Sequence, residues 1–323
     1  MSHEKIKVRA PASTANLGSG FDSIGIALDM YTEVEMSSHN HLQFEWIDEN
    51  GNHTPFPFTN EENLIFQAMK KVCELLQRDI PNVKVIVKST IPSTRGLGSS
   101  ASAFVAGLVA INKWLGGALS KDDLLWLAAE KEGHPDNVGA SLFGGVFVGA
   151  MDWEAKKVQH NYIPFPNKWK WLAAIPSYSS STASARKKLP DSYEKQDVIF
   201  NLSRYGLLVS SIMLGDEEGL KTGFFDKLHT PYRQDSIPGF DRLMNSQDEI
   251  GALGFMISGA GPTVLGLVPQ KANLKKAQLY MEQFLKSEAH DVDVIPLNVD
   301  HFGVQVYVGD DLEYLCNTQA FMA

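Results

Sequence analysis

The chain has 323 residues, 44% apolar and 21% charged, which is a globular composition and a length sufficient for two domains with separate cores. A net charge of −9 argues against a general nucleic-acid binder, and an acidic chain that binds an anion must gather its positive charge locally. The two cysteines, Cys73 and Cys316, form neither a disulfide framework nor a zinc spacing. The N-terminus lacks an apolar leader and no uninterrupted apolar run approaches the ~18 residues of a membrane span, so the cytosol is the expected compartment.

"KIKVRAP" reads as a strand ending at Pro11. Behind it, "PASTANLGSGFDSIGIALD" reads as a polar loop carrying Ser13, Thr14, Asn16 and Asp22 ahead of an apolar run. A glycine-rich turn with an Asx cap accounts for part of this pattern. The density of donors and acceptors exceeds what a turn needs, and Asn can bind a hydroxyl while Asp binds an ammonium. "NEENLIFQAMKKVCELLQ" predicts a helix capped by Asn60, with Cys73 a buried thiol on its apolar face.

"NVKVIVKSTI" alternates Val83, Val85 and Val87 with polar residues, which is strand periodicity. Downstream, Phe104, Leu108, Ile111 and Trp114 recur at helical spacing. The stretch between, "IPSTRGLGSS", is therefore a strand–loop–helix junction with Gly96 and Gly98 in the loop. Glycine permits positive φ and close approach of a ligand, and a helix start offers free N–H groups, which makes an anion site, most often for phosphate. An ordinary glycine turn with serine caps fits the same spacing. No lysine follows the glycines as a Walker loop requires, and the three-glycine dinucleotide fingerprint is missing.

"SKDDLLWLAAEKEG" predicts a helix opened by the capping box Ser120-x-x-Asp123 and closed by Gly133. "EKEGHPDNVGASLFGG" then packs Glu130, His134, Asp136 and Asn137 into a helix end and the following loop. Carboxylates beside a phosphate loop suit Mg²⁺, whereas one histidine with carboxylates is an unusual zinc set. Glu132 reads as part of a solvated helix end. After the strand "GGVFVGA", a polar, proline-bearing break lies around "DWEAKKVQHNYIPFPNKWKW".

The second half opens with the strand "WLAAIPSY", followed by a helix over "QDVIFNLSRYGLLVSSIML" and another after "SIPGF". The strands "GFMISG" and "TVLGLVP" flank a turn at Ala260-Gly261-Pro262, and "KANLKKAQLYMEQFLKSEA" and "DVDVIPLNV" add a helix and a strand. That order suggests a split βαβ sandwich of the ferredoxin-like type. Arg186 and Arg233 lie in "STASARKKLP" and "LHTPYRQD". A single arginine is more often a surface charge, but loop arginines suit bidentate recognition of carboxylate or phosphate. The strand "GVQVYVG" precedes a tail, "DDLEYLCNTQAFMA", with no assignable role.

Taken together, "PASTANLGSGFD", "IPSTRGLGSSAS" and "GFMISGAGPTVLGL" resemble, in order, the three motifs of the GHMP small-molecule kinases. The intervening "EGHPDNVGASLFGG", "ARKKLP", "FNLSR" and "HTPYR" are similar to segments of the homoserine-phosphorylating branch, and the resemblance covers all but the C-terminal tail. It implies an α+β, two-domain GHMP kinase fold: an N-terminal, ribosomal-protein-S5-like, ATP-binding domain over residues 1–167, and a C-terminal domain with a ferredoxin-like sandwich over 168–323. It further implies Pro92, Arg95, Gly96, Leu97, Gly98, Ser99, Ser100 and Ala101 around the phosphates of ATP and Asn63 against adenine. Ser99 and Glu130 match the Mg²⁺ ligands.

By the same resemblance, Asn16, Asp22, His134, Asn137, Arg186 and Arg233 surround L-homoserine, with Asn16, Glu130 and Asn137 nearest the chemistry. The arginines suit the α-carboxylate, Asp22 the α-ammonium, and the two asparagines the reacting hydroxyl, whose phosphorylation to O-phospho-L-homoserine is a step of threonine biosynthesis. Asp136 neighbours Asn137, but no protein base is expected, because a loose transition state is served by positioning and charge neutralisation. A homodimer is implied, with neither nucleic acid nor membrane as partner. The rivals are a mevalonate- or sugar-type kinase of the same family and a non-catalytic ATP-binding regulator. A neutral sugar would leave Asp22, Arg186 and Arg233 unpaired, and the intact GLGSS loop with Glu130 favours a catalyst.

Overall fold

The computed structural model describes residues 5–309 and 311–313, so Cys316 and most of the C-terminal tail lie outside the described residues. The chain begins with β1 (Lys5–Asn16) and β2 (Gly20–Ser38), a long antiparallel pair. β1 does not end at Pro11 as predicted. The register shifts between Pro11 and Ala12, a bulge at which proline's missing N–H is tolerated, and the strand runs on to Asn16. Ser13, Thr14 and Asn16 are thus buried strand residues, and only Leu17–Ser19 turn the chain.

β3 (Gln43–Ile47), β4 (His53–Pro55), α1 (Leu64–Leu75) and β5 (Val83–Ser89) follow. Asn63, not Asn60, caps α1, its Oδ1 accepting from Ile65 N and Phe66 N. Next come α2 (Ser99–Trp114), α3 (Lys121–Glu132), α4 (Asp136–Phe143), β6 (Val146–Asp152) and β7 (Lys157–Ile163). The Ser120/Asp123 capping box is formed on both sides, and Gly133 ends α3 at φ +84°. The segment after it is not a loop. Pro135 caps a second helix at once, and Asp136 and Asn137 fall in the first turn of α4. The helices cover one face of the first sheet, burying Val8, Val34, Val85, Phe104 and Ile111 in a shared cluster.

The second unit contains β8 (Trp169–Pro176), α5 (Thr182–Arg186), α6 (Lys195–Leu214), α7 (Glu217–Gly223) and α8 (Thr230–Arg233). It continues through α9 (Phe240–Asn245), α10 (Gln247–Ile250), β9 (Gly254–Ile257), β10 (Val264–Pro269), α11 (Leu274–Leu285) and β11 (Val292–Leu297). Its sheet has the antiparallel order β11-β8-β10-β9, the ferredoxin-like arrangement that the strand and helix sequence predicts. α6, the longest helix among the described residues, holds an 18-residue window of mean hydropathy 1.2, although Asn201, Arg204 and several serines interrupt it.

Two strands of the expected second domain, 168–323, lie in the first sheet. β12 (Gln305–Val308) returns to the first sheet, pairing Val306 with Val8 of β1, and β13 (Asp311–Glu313) adds beside it. Alternation marks such a segment as a strand but says nothing about which edge it joins. Between the units, Leu17, Ile24 and Leu28 pack with Trp171, Phe224 and Leu265, so the junction is an apolar core rather than a hinge.

α4 lies so close on β2 that a Cβ added to Gly25 would stand 2.4 Å from the carbonyl oxygen of Asp136. Gly25→Ala should therefore lift the helix that carries Asp136 and Asn137, costing ~1–3 kcal/mol. Urea denaturation checks this, and an unchanged midpoint would show that α4 can yield.

Candidate active site

A cavity of about 460 Å³ opens where the two units meet. One end is made by the loop between β5 and α2. Gly98 is the N-cap of α2 at φ +66° and no side chain caps the helix, so the first-turn N–H groups of Ser99 and Ser100 sit at the cavity wall. A Cβ on Gly98 would lie 2.1 Å from Ser13 Oγ, which is why glycine is needed as the loop passes over β1. Ser258 Oγ donates to Gly96 O at 2.6 Å and lies 2.9 Å from Thr14 Oγ1, tying the loop to both units. An uncapped helix start held this rigidly is suited to an anion.

Not every loop residue turns to the cavity. Among the described residues that line it, Pro92, Leu97 and Ala101 are missing, and the side chains of Leu97 and Ala101 are buried in hydrophobic clusters. Arg95, expected at the phosphates, lines the cavity and in the free protein donates to the carbonyls of Pro176 (2.9 Å), Ser177 (2.7 Å) and Ser93 (3.1 Å). Its guanidinium is a strut between the loop and the second unit. Beyond the loop, Trp46, Phe56 and Phe58 form an edge-to-face aromatic wall. Asn63 lies in the same part of the cavity, with both helix N–H groups on its Oδ1 and its Nδ2 buried without a protein partner.

The other end is charged. Arg186 donates to both carboxylate oxygens of Asp22, at 3.0 and 2.8 Å. Arg233 is buried, donates through Nη1 to Gly259 O at 2.9 Å and leaves its Nε without a partner. Burial, and then the neighbouring Arg186, press its pKa below the usual value, the signature of a cation short of an anion. Asn16 bridges Gly259 O (2.9 Å) and the N–H of Asp22 (3.0 Å). Asn137 accepts from Ser13 Oγ at 3.1 Å.

Two family models match the chain, "GHMP kinases N terminal domain" over residues 63–145 and "GHMP kinases C terminal" over 208–287. A homoserine kinase of Clostridium botulinum (strain Alaska E43 / Type E3) is 38% identical over 307 residues, covering 94% of this chain and 99% of that relative. The homoserine kinase of Trichormus variabilis is 41% identical over 267 residues, 81% of this chain and 86% of the relative. The crystal structure of homoserine kinase from Cytophaga hutchinsonii superposes with a TM-score of 0.82 at 28% identity, over 94% of this chain and 98% of that one. The chain belongs to the homoserine kinase family. A mevalonate kinase structure, at TM-score 0.62 and 16% identity, shares the fold alone.

As a homoserine kinase family member the chain is a phosphotransferase, and its structure leaves one expected metal ligand outside the cavity. Glu130 is exposed on α3 and paired with Lys71 Nζ at 2.6 Å, outside the cavity. Glu132, two positions on and about 200° round the helix, lines the cavity, and burial raises its pKa. Leu124–Ala129 are all buried, so the apolar run of α3 carries no phase from which to choose between the two glutamates. The sequence also left out the aromatic wall, whose residues carry no motif, and His229. That ring is fully buried, and burial lowers its pKa. It is neutral, donating from Nε2 to Gly18 O at 2.9 Å and presenting Nδ1 to Arg233 Nη1 at 3.4 Å.

Asp22, His134 and Asp136 bring oxygens and a ring nitrogen within 4.8 Å of one another, but Arg186 and His134 already neutralise the carboxylates. Burial alone would lower the His134 pKa. The charge and hydrogen bond of Asp136, 2.5 Å away, outweigh it and raise the pKa from 6.5 to about 9. With the folded value above the unfolded one, the pair stabilises the fold fully below pH 6.5 and loses its contribution as pH rises through about 9. In the ligand-free protein, NMR titration of the His134 ring should give a midpoint near 9. In Asp136→Asn the midpoint should fall well below 9, because burial is then opposed only by the charge of Asp22. Equal midpoints would separate His134 from Asp136.

Proposed function

We propose that this chain transfers the γ-phosphoryl group of ATP to the side-chain hydroxyl of L-homoserine, giving O-phospho-L-homoserine and ADP. The observation that carries the reading is the joining, in one cavity, of an uncapped helix start with a charge set complementary to a zwitterion. Asp22 takes the α-ammonium. Arg186 and Arg233 take the α-carboxylate, so that the bidentate Asp22–Arg186 pair of the free protein opens into two pairs with substrate. Asn16 and Asn137 orient the hydroxyl. Gly96, Gly98 and the first N–H groups of α2 hold the phosphates, and the aromatic wall with Asn63 Nδ2 holds the adenine.

The hydroxyl oxygen forms its bond to phosphorus as the bond to the β,γ-bridging oxygen breaks, and the hydroxyl proton passes to a phosphoryl oxygen. Asp136 is committed to His134 and to the N–H of Asn137, which supports transfer without a protein base. A loose transition state needs positioning more than deprotonation. Glu132 and the Ser99 hydroxyl are the groups suited to Mg²⁺, since a carboxylate whose charge burial disfavours gains most from a cation. The ion would neutralise charge between the phosphates. The enzyme is proposed to act as a homodimer.

Incubated with Mg·ATP, the purified protein should convert L-homoserine to O-phospho-L-homoserine, and ADP release no higher than background at saturating homoserine would overturn the reading. Arg233→Ala should raise the KM for homoserine about ten- to a hundredfold, the ~1.5–3 kcal/mol of a charge-assisted contact, and leave the KM for ATP nearly unchanged. The reverse pattern would assign Arg233 to the phosphates.

The two glutamates of α3 separate under the same assay. Glu132→Gln should lower kcat about a hundredfold, roughly 3 kcal/mol of transition-state stabilisation. Glu130→Gln should stay near wild type, losing only a surface ion pair of ~0–1 kcal/mol. A crippled Glu130→Gln beside an active Glu132→Gln would restore the assignment made from sequence.

A further inference from the structure

Asp226 holds the turn that leads into α8 and Arg233. Its carboxylate is fully buried and accepts from the N–H groups of Leu228 at 2.9 Å, His229 at 3.0 Å and Thr230 at 2.6 Å. The His229 ring above it is surrounded so that only one tautomer fits. Its Nε2 faces Gly18 O at 2.9 Å and Asp226 Oδ2 at 3.5 Å, both acceptors, so Nε2 carries the hydrogen and Nδ1 keeps its lone pair. Phe21 stacks on the ring, with centroids 5.3 Å apart and 23° between the planes, and fixes its orientation. The same Phe21 ring lies 5.4 Å from Arg233 Cζ and 5.7 Å from Arg186 Cζ, which keeps the two like charges beside one aromatic group.

The lone pair on Nδ1 meets Arg233, four residues further along the chain. Nη1 of Arg233 has two hydrogens, and it donates one to Gly259 O at 2.9 Å and the other to His229 Nδ1 at 3.4 Å. Nη1 is thereby spent on the protein. Nε has no partner, and Nη2 donates to none of the described residues. These two nitrogens share one edge of the planar guanidinium, a fork that matches a carboxylate. We propose that His229 is a positioning residue for homoserine, its unprotonated Nδ1 holding Nη1 so that the Nε–Nη2 edge of Arg233 is kept for the α-carboxylate. The role rests on Arg233 taking that carboxylate, as proposed above. A neutral imidazole suits it for an electrostatic reason. An acidic side chain in the same place would pair with Arg233 and cancel the charge that substrate needs, and a cationic one would add a third positive charge beside Arg233 and Arg186. A neutral acceptor orients the arginine and leaves its charge to the ligand.

Two substitutions separate the ring nitrogens. His229→Gln carries an amide nitrogen near the position of Nε2, within reach of Gly18 O, and nothing at Nδ1. His229→Asn carries an oxygen near the position of Nδ1 and nothing at Nε2. At saturating Mg·ATP, His229→Gln should raise the KM for L-homoserine about five- to tenfold, the worth of one hydrogen bond, with kcat within about twofold of wild type. His229→Asn should keep that KM within about threefold of wild type, because the acceptor for Nη1 is restored. Homoserine amide, which offers no carboxylate, should be a poor substrate for wild type, and His229→Gln should raise its KM by no more than about twofold further. An unchanged homoserine KM in His229→Gln, or equal losses on homoserine and its amide, overturns the role and leaves the kinase reading intact. Wild type that released no ADP with homoserine would sink the kinase reading, and the role with it. If neither variant folds, nitrogen NMR of the wild-type His229 ring decides. The proton should sit on Nε2, and the Nδ1 resonance should shift when L-homoserine is added. A proton on Nδ1, or an Nδ1 resonance unmoved by homoserine, overturns the proposal.

Discussion

The carbonyl oxygen of Gly259 accepts hydrogen bonds from Asn16 Nδ2 and Arg233 Nη1, both at 2.9 Å. Its N–H is spent on Ala15 O, and the hydroxyl of the preceding Ser258 holds Gly96 O. One turn of the second unit thereby fixes the end of β1, the GLGSS loop and the buried arginine relative to one another. The apolar cluster around Trp171 and Leu265 makes the same junction stiff from beneath. The two ends of the cavity are thus set by a single connection, and a transfer that depends on positioning needs that distance to be fixed.

Backbone strain concentrates where this connection acts. Asn16, Asp22 and Thr94 take φ values of 75°, 56° and 56°, the left-handed region that side-chain-bearing residues rarely adopt. Asn16 and Asp22 are also linked by a hydrogen bond, so the strained turn points both side chains at the same part of the cavity. Such strain persists only where surrounding contacts over-determine the backbone, and the Gly259 carbonyl and the Arg186 guanidinium supply those contacts.

Charge is handled in the same way. The protein is acidic overall, but the cavity gathers Arg186, Arg233 and a protonated His134 against Asp22, Asp136 and Glu132. Each group is either paired with a neighbour or shifted by burial, and Arg233 is the one whose shift records an unmet need for an anion. Arg95 shows the opposite use of the same side chain. Three carbonyls and the Thr94 hydroxyl accept from it, so it braces the loop at the edge of the cavity.

By itself the sequence determined what depends on neighbours a few residues away. The strand–GLGSS–helix junction, the Ser120/Asp123 box and the Gly133 stop are all set by local hydrogen bonds and backbone preferences, and each is formed as its residues predict. The ferredoxin-like order was legible because element sequence and short connections leave few ways to pair the strands. What the tertiary structure alone decided was phase, edge and partner. A helix buried along most of its length conceals which glutamate faces inward, so Glu132 and not Glu130 reaches the cavity. An alternating strand does not name its neighbour, so β12 joined the first sheet. An arginine beside a glycine loop does not name its acceptors, because two of the carbonyls that hold it belong to chain some 80 residues away.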